Sequence, residues 1–153
     1  MAFLSSMNIV ASGLTAQQLR LDVVAENVTN STTTRTENGG AYRRKMVVFE
    51  AQGSRDSFRT AMAKAAGRAV PNGSGTYAGG VRVTQIVEDP SPLKLEYDPT
   101  HPDANEDGYV ELPNVDMVKE MTDAMAATQA YSANVTAFNT LKSVVAKGLE
   151  IGK

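Results

Sequence analysis

Between residues 115 and 149 apolar side chains recur every three to four positions. Met117, Ala124, Tyr131, Phe138 and Val145 share one heptad line, and Met121, Thr128, Val135 and Leu149 share the line four residues further on. Such spacing lays a narrow apolar stripe along one side of a helix and leaves the rest polar. At about 1.5 Å per residue the segment makes a rod of roughly 50 Å. So narrow a stripe on so long a helix needs a partner helix to bury it. Pro113-Asn114 launches it, with Asn114 the expected N-cap and Asp116 and Glu120 in the early turns.

A matching pattern runs near the other end. Met7, Leu14, Leu21 and Val28 are seven apart, Val10 and Val24 lie on the complementary line, and Gln17 interrupts that line. A helix is expected from residue 3 to about 28. Gly13 is a weak point within it, costing about 1 kcal/mol against alanine. The run Asn27-Val28-Thr29-Asn30-Ser31, with three threonines after it, stops the helix because these side chains compete for the backbone. Heptads alone do not say whether the partner of each helix is the other terminus or another molecule.

The middle changes period. Asn38-Gly39-Gly40 allows a tight turn, Met46-Val47-Val48-Phe49 reads as a short strand after Arg43-Arg44-Lys45, and residues 81–87 alternate as a strand should. Leu93–Tyr97 follows the turn Asp89-Pro90-Ser91-Pro92, and a third short strand of this group is expected over 108–112. Residues 57–68 suit a short Ala-rich helix, but glycines on both sides point to a mobile loop over about 51–80. The expected fold class is α+β: long N- and C-terminal helices pairing as a coiled-coil-like hairpin around a small, partly irregular β unit. Residues 1–35 and 114–153 would form one discontinuous helical assembly domain, and 36–113 the β-rich middle.

Composition narrows the chemistry. The chain has 153 residues, a formal net charge of −2 and 42% hydrophobic residues, so neither nucleic acid nor an anionic membrane is an expected partner. With no cysteine, thiol catalysis, disulfides and thiolate metal sites are excluded. No apolar run reaches the roughly 18 residues of a spanning helix, and the first ten residues do not read as a secretory signal. The one histidine, His101, sits in a constrained loop and reads as a turn residue before a base or ligand. Asp103-Ala104-Asn105-Glu106-Asp107-Gly108 opens like a calcium loop, but Asn114 stands where the bidentate glutamate belongs. A solvated acidic turn is the better reading. No cofactor, metal site or catalytic residue is expected.

Three stretches carry a resemblance. Ala11-Ser12-Gly13-Leu14-Thr15-Ala16-Gln17-Gln18-Leu19-Arg20-Leu21, running into Ala25-Glu26-Asn27-Val28-Thr29-Asn30, resembles the N-terminal signature of bacterial flagellar rod and hook proteins. Pro113-Asn114-Val115-Asp116 through Tyr131-Ser132-Ala133-Asn134 resembles their C-terminal signature. Tyr97-Asp98-Pro99-Thr100-His101-Pro102-Asp103-Ala104 with Gly108-Tyr109-Val110 narrows the likeness to the proximal-rod branch. It covers residues 1–50 and 81–153. Thr29 and Gln129 depart from the usual Ala or Ser and Arg.

That resemblance implies a non-enzymatic structural subunit in the basal body, outside the cytoplasmic membrane. It implies terminal helices that pair and stack with neighbours into a hollow drive shaft that transmits torque. The implied partners are other copies, other rod proteins and the flagellar type III export apparatus, which passes such chains without a cleavable signal. The expected subunit-interface residues are Leu14, Leu21, Asn27 and Asn30 in the first helix and at its end. Asn114, Val118, Met121, Met125, Tyr131, Asn134 and Phe138 are those of the second. The apolar ones would act as packing knobs, and the asparagines would cap or bridge backbone and fix register. A free-standing coiled-coil adaptor or export chaperone would show the same heptads, and a small hydrolase would need His101 or the acids of 103–108.

Overall fold

The computed structural model describes residues 2–37, 39–52, 62, 65–67 and 79–151. Helix α1 spans Ala2–Thr29 and helix α2 Met117–Ile151; between them lie strands β1 (Lys45–Ala51), β2 (Val81–Glu88), β3 (Lys94–Tyr97) and β4 (Tyr109–Leu112). The fold is α+β with the long helices at the two ends of the chain, as the periodicities require. The short helix expected over 57–68 and the loop over 51–80 fall largely outside the described residues.

The two helices pack antiparallel. Asn27 faces Glu120 near one end of the pair, Arg20 pairs with Asp123, and Gly13 faces Asn134 further along. A Cβ at Gly13 would sit 2.9 Å from the Asn134 amide nitrogen, so this glycine is where the helix backbones come close. Its propensity cost is the condition for that approach. Residues 13 and 134, like 27 and 120, add to 147; continued along the pair, this places the last few residues of α2 beyond the start of α1.

The cap of α2 is Asp116, not Asn114. Asp116 Oδ1 accepts the Val118 N–H at 3.0 Å, two residues on, as an N-cap side chain does. Asn114 turns back instead: its Oδ1 accepts the Arg44 N–H at 2.8 Å, and its Nδ2 donates to Asp89 O and to Ser91. It ties the start of α2 to the ends of β1 and β2.

Each pair of strands forms an antiparallel ribbon. β1 runs against β2 from Lys45 opposite Glu88 to Ala51 opposite Val81. Val48 pairs with Gln85 and Phe49 with Val83, so Thr84 is the extra residue of a bulge. β3 runs against β4 with Leu95 opposite Glu111 and Tyr97 opposite Tyr109. Gly108 enters β4 at φ +80°, and a Cβ there would lie 3.0 Å from the Tyr97 ring, so only glycine suits this turn. The first ribbon rests on α1 through Ser12, whose hydroxyl accepts the Val81 N–H, and through Asn27, which bridges the backbone of Lys45. The core is small: Ala16, Val23 and Val24 of α1, Tyr42, Val110, Pro113 and Val115, and Ala127 of α2.

Candidate assembly surface

The helices meet the first ribbon at a buried polar cluster. Glu120, the fourth residue of α2, is fully buried (0% exposed). A carboxylate there is tolerable only if both oxygens are bonded. They are: Arg44 Nε donates to Oε1 at 2.6 Å, and Asn27 Nδ2 donates to Oε2 at 3.0 Å. Asn27, also buried, accepts from Tyr42 OH at 3.0 Å and from the Lys45 N–H at 2.9 Å, and its amide donates to Lys45 O. Arg44 reaches Asp89 as well, at 3.7 Å. The backbone N–H of Ser91 first, then its side chain and the Arg44 guanidinium, hold the Asp89 carboxyl below its ordinary range.

Tyr42 carries the clearest electrostatic mark. Burial first, then the carboxylates of Glu26, Glu120 and Glu88, push its phenol up to about 12. Because the folded value exceeds the ordinary one of about 10, the native state holds the proton longer than the unfolded chain. This stabilisation is complete below pH 10 and is lost as pH rises through 12. The melting temperature should therefore fall over pH 10–12. Tyr42→Phe should flatten that fall while lowering stability at neutral pH by about 1 kcal/mol, one buried hydrogen bond. Thermal melts of both chains across that window check the sign.

What packs inward along α2 differs from the heptad reading in most of the second line and at Met117 of the first, which is 41% exposed. Ala124, Tyr131, Phe138 and Val145 do turn toward α1. The line beside them is Glu120, Ala127, Asn134 and Leu141, with Ala127 at 0% exposure. Three of the four residues of the expected second line are turned away, Met121 at 58% exposure and Thr128 and Leu149 exposed too, while Val135 is half-buried. Beside Met121 stand Val118 and Met125, at 73% and 63% exposure, and the partly exposed Met117. These four make an apolar row on the first turns of α2. A second exposed apolar group, Leu95, Tyr97 and Tyr109, lies on one face of the β3–β4 ribbon, where the tyrosine rings meet edge to face at 5.2 Å.

The expected interface residues thus fall into distinct settings. Val118, Met121 and Met125 are open to solvent. Leu14, Leu21, Tyr131, Asn134 and Phe138 are half-buried along the helix pair, and Asn30 closes α1 by donating to Glu26 O and accepting from Thr33. Asn27 and Asn114 are engaged within the chain, in the cluster and at the strand ends. Glu120 and Arg44 were not among the expected site residues. Their signal was faint: Glu120 lies three residues after Met117 and four before Ala124, on the apolar side of the helix.

The candidate chemistry resolves into turns. His101 Nδ1 accepts the Asp103 N–H, and Asp103 accepts from the Thr34 hydroxyl. Asn105 Oδ1 is engaged by the N–H groups of Asp107 and Tyr109. Asp98 accepts from the Thr100 hydroxyl and N–H; these bonds in that order, then His101, lower its carboxyl. His101, Asn105 and Asp98 each bond loop backbone, the business of a turn, and Asp103 ties this loop to Thr34 and Arg35 after α1.

Comparison with known proteins converges on one answer. Residues 7–35 match the family model described as flagella basal body rod protein, and residues 106–151 that described as flagellar basal body rod FlgEFG protein C-terminal. The chain is 48% identical to the flagellar basal-body rod protein FlgC of Bacillus subtilis, over 97% of each chain. It is 43% identical to that of Borreliella burgdorferi, over 99% of this chain and 98% of the relative. Against FlgC of Escherichia coli O6:H1 the identity is 39% over the full length of both. These alignments run through both terminal helices and the ribbons between them, and the chain belongs to the FlgC family of flagellar basal-body rod proteins.

Proposed function

We propose that this chain is a structural subunit of the flagellar basal-body rod, polymerising through its terminal helices into the hollow shaft that carries torque. The observation that supports this best is the row Met117, Val118, Met121 and Met125, large apolar side chains held at the surface of an ordered helix. Contiguous exposed apolar groups of this kind mark a surface that another protein covers, and methionine adapts well to such contacts. A head-to-tail contact that does not close on itself generates a helical tube. Its partners are further copies and other rod proteins, reached through the flagellar export apparatus, and its place is the basal body outside the cytoplasmic membrane. Its work is mechanical, not enzymatic. The adaptor or chaperone reading is not favoured by relatives that are rod proteins over their whole length.

Deleting the gene in its own bacterium and imaging basal bodies by electron cryotomography tests the proposal. Membrane rings without a shaft, restored by the intact gene, are expected. Complete shafts and normal swimming in the deletion strain would refute it.

A further inference from the structure

We propose that the Glu120–Arg44–Asn27 cluster is a latch that fixes the roll of α2, choosing a polar packing line over an apolar one and so keeping Met121 at the surface. Two lines compete for the place beside Ala124, Tyr131, Phe138 and Val145. One is Glu120, Ala127, Asn134 and Leu141; the other is Met121, Thr128, Val135 and Leu149. The two lines are one residue apart, or about 100° around the helix, so exchanging them rolls α2 by roughly 50° about the shared line. Burial of apolar area alone favours the second at this end of the helix, where Met121 would replace Glu120. The structure adopts the first at this end, with Glu120 and Ala127 buried and Met121 and Thr128 exposed; further along, Asn134 and Val135 are both half-buried.

What tips the choice is polar and local. Glu120 has both carboxylate oxygens bonded, one to α1 through Asn27 and one to the segment entering β1 through Arg44. Arg20 pairs with Asp123 one turn on, and Asn134 fits against Gly13 further along, on the same line as Glu120. A roll would pull Glu120 away from both its partners at once. Buried ion pairs seldom add net stability over apolar packing, and their best-attested use is to select one arrangement among several. Here the arrangement selected is the one with the methionines outside. The rod-subunit reading supplies only the purpose of that face; the latch itself is a property of the folded chain.

A chain without cysteine makes the roll measurable, because a single introduced thiol is the only one present. Met121→Cys and Ala127→Cys are labelled separately with an alkylating reagent in the folded full-length protein. With the latch intact, the thiol at 121 reacts fast and that at 127 slowly. In a chain also carrying Glu120→Ala and Arg44→Gln the order should reverse, with the thiol at 121 slowed roughly tenfold by burial. Glu120→Gln can still accept from Arg44 or Asn27 and should restore the native order. Persistence of the native order without the latch overturns the proposal. So does fast labelling at both positions, since the cluster would then hold the fold together and not its roll. Shaft assembly plays no part in this readout, so a failed rod assignment would show in basal-body images and leave the labelling order unchanged.

Discussion

Cells whose only copy of this subunit carries Met121→Glu should fail to swim, although the purified variant melts within about 2 °C of the native protein. The two halves of that expectation come from one position. Met121 is exposed in the subunit, and surface substitutions away from caps and buried networks shift stability by no more than about 0.5 kcal/mol. A domain of this size turns that into about 1–2 °C. The new carboxylate also reinforces the native roll, since the alternative would bury it. In an assembled shaft the same position would be covered by a neighbour. An unpaired carboxylate in an apolar contact costs several kcal/mol, and every subunit in the polymer would bear it. Soft-agar motility and a thermal melt, run on the same variant, check both halves. Normal swimming would remove Met121 from the interface, and Met125→Glu would then show whether the rest of the row goes with it.

The sequence made some features of this molecule easy to read. Helix limits were legible to within about two residues, because Pro113 and the Asn-Thr-Ser run after Asn27 are local signals, although the cap of α2 fell to Asp116 and not to Asn114. The four strands were legible for the same reason, through alternation and the turns at Asp89–Pro92 and Asn105–Gly108. The heptads said that each long helix needs a partner but not which one, and the line of Ala124, Tyr131, Phe138 and Val145 is where α2 meets α1. The second line fails at Met121, Thr128 and Leu149, and holds only at the half-buried Val135, because an apolar pattern does not show where a polar residue wins the buried place. Glu120 takes its place through Asn27, 93 residues away, and Arg44, 76 residues away. No periodicity reports a contact of that range. Nothing in the run Arg43-Arg44-Lys45 marks Arg44 as the partner of Glu120, for the same reason. Gly13 looked like a flaw in α1 until the helix opposite supplied Asn134.

Phe138→Asp should act by the opposite route, through the fold first. Phe138 is half-buried on the line that faces α1, toward the far end of the pair from the Glu120 cluster. Removing the ring forfeits about 3 kcal/mol, the low end for a phenylalanine that is not fully buried. The carboxylate adds a charge to a seam with no designed partner for it, which raises the cost further. Beyond Gly13 and Asn134, toward the two termini, the pair has less to hold it: the cluster, the β3–β4 ribbon and the buried core lie on the other side, and the first ribbon reaches past Gly13 only where Gly79, Gly80 and Val81 meet Ile9 and Ser12. The damage should therefore be local. Limited proteolysis with mass spectrometry should show new cuts before about residue 13 and after about residue 134, with the ribbons and the cluster end protected. Because assembly needs the terminal helices ordered, swimming should be lost as well. The Met121→Glu chain should lose swimming with no new cuts at all. Were Phe138→Asp to resist protease like the native chain, the seam would not run through that line, and the pairing of the termini would have to rest on the polar cluster alone.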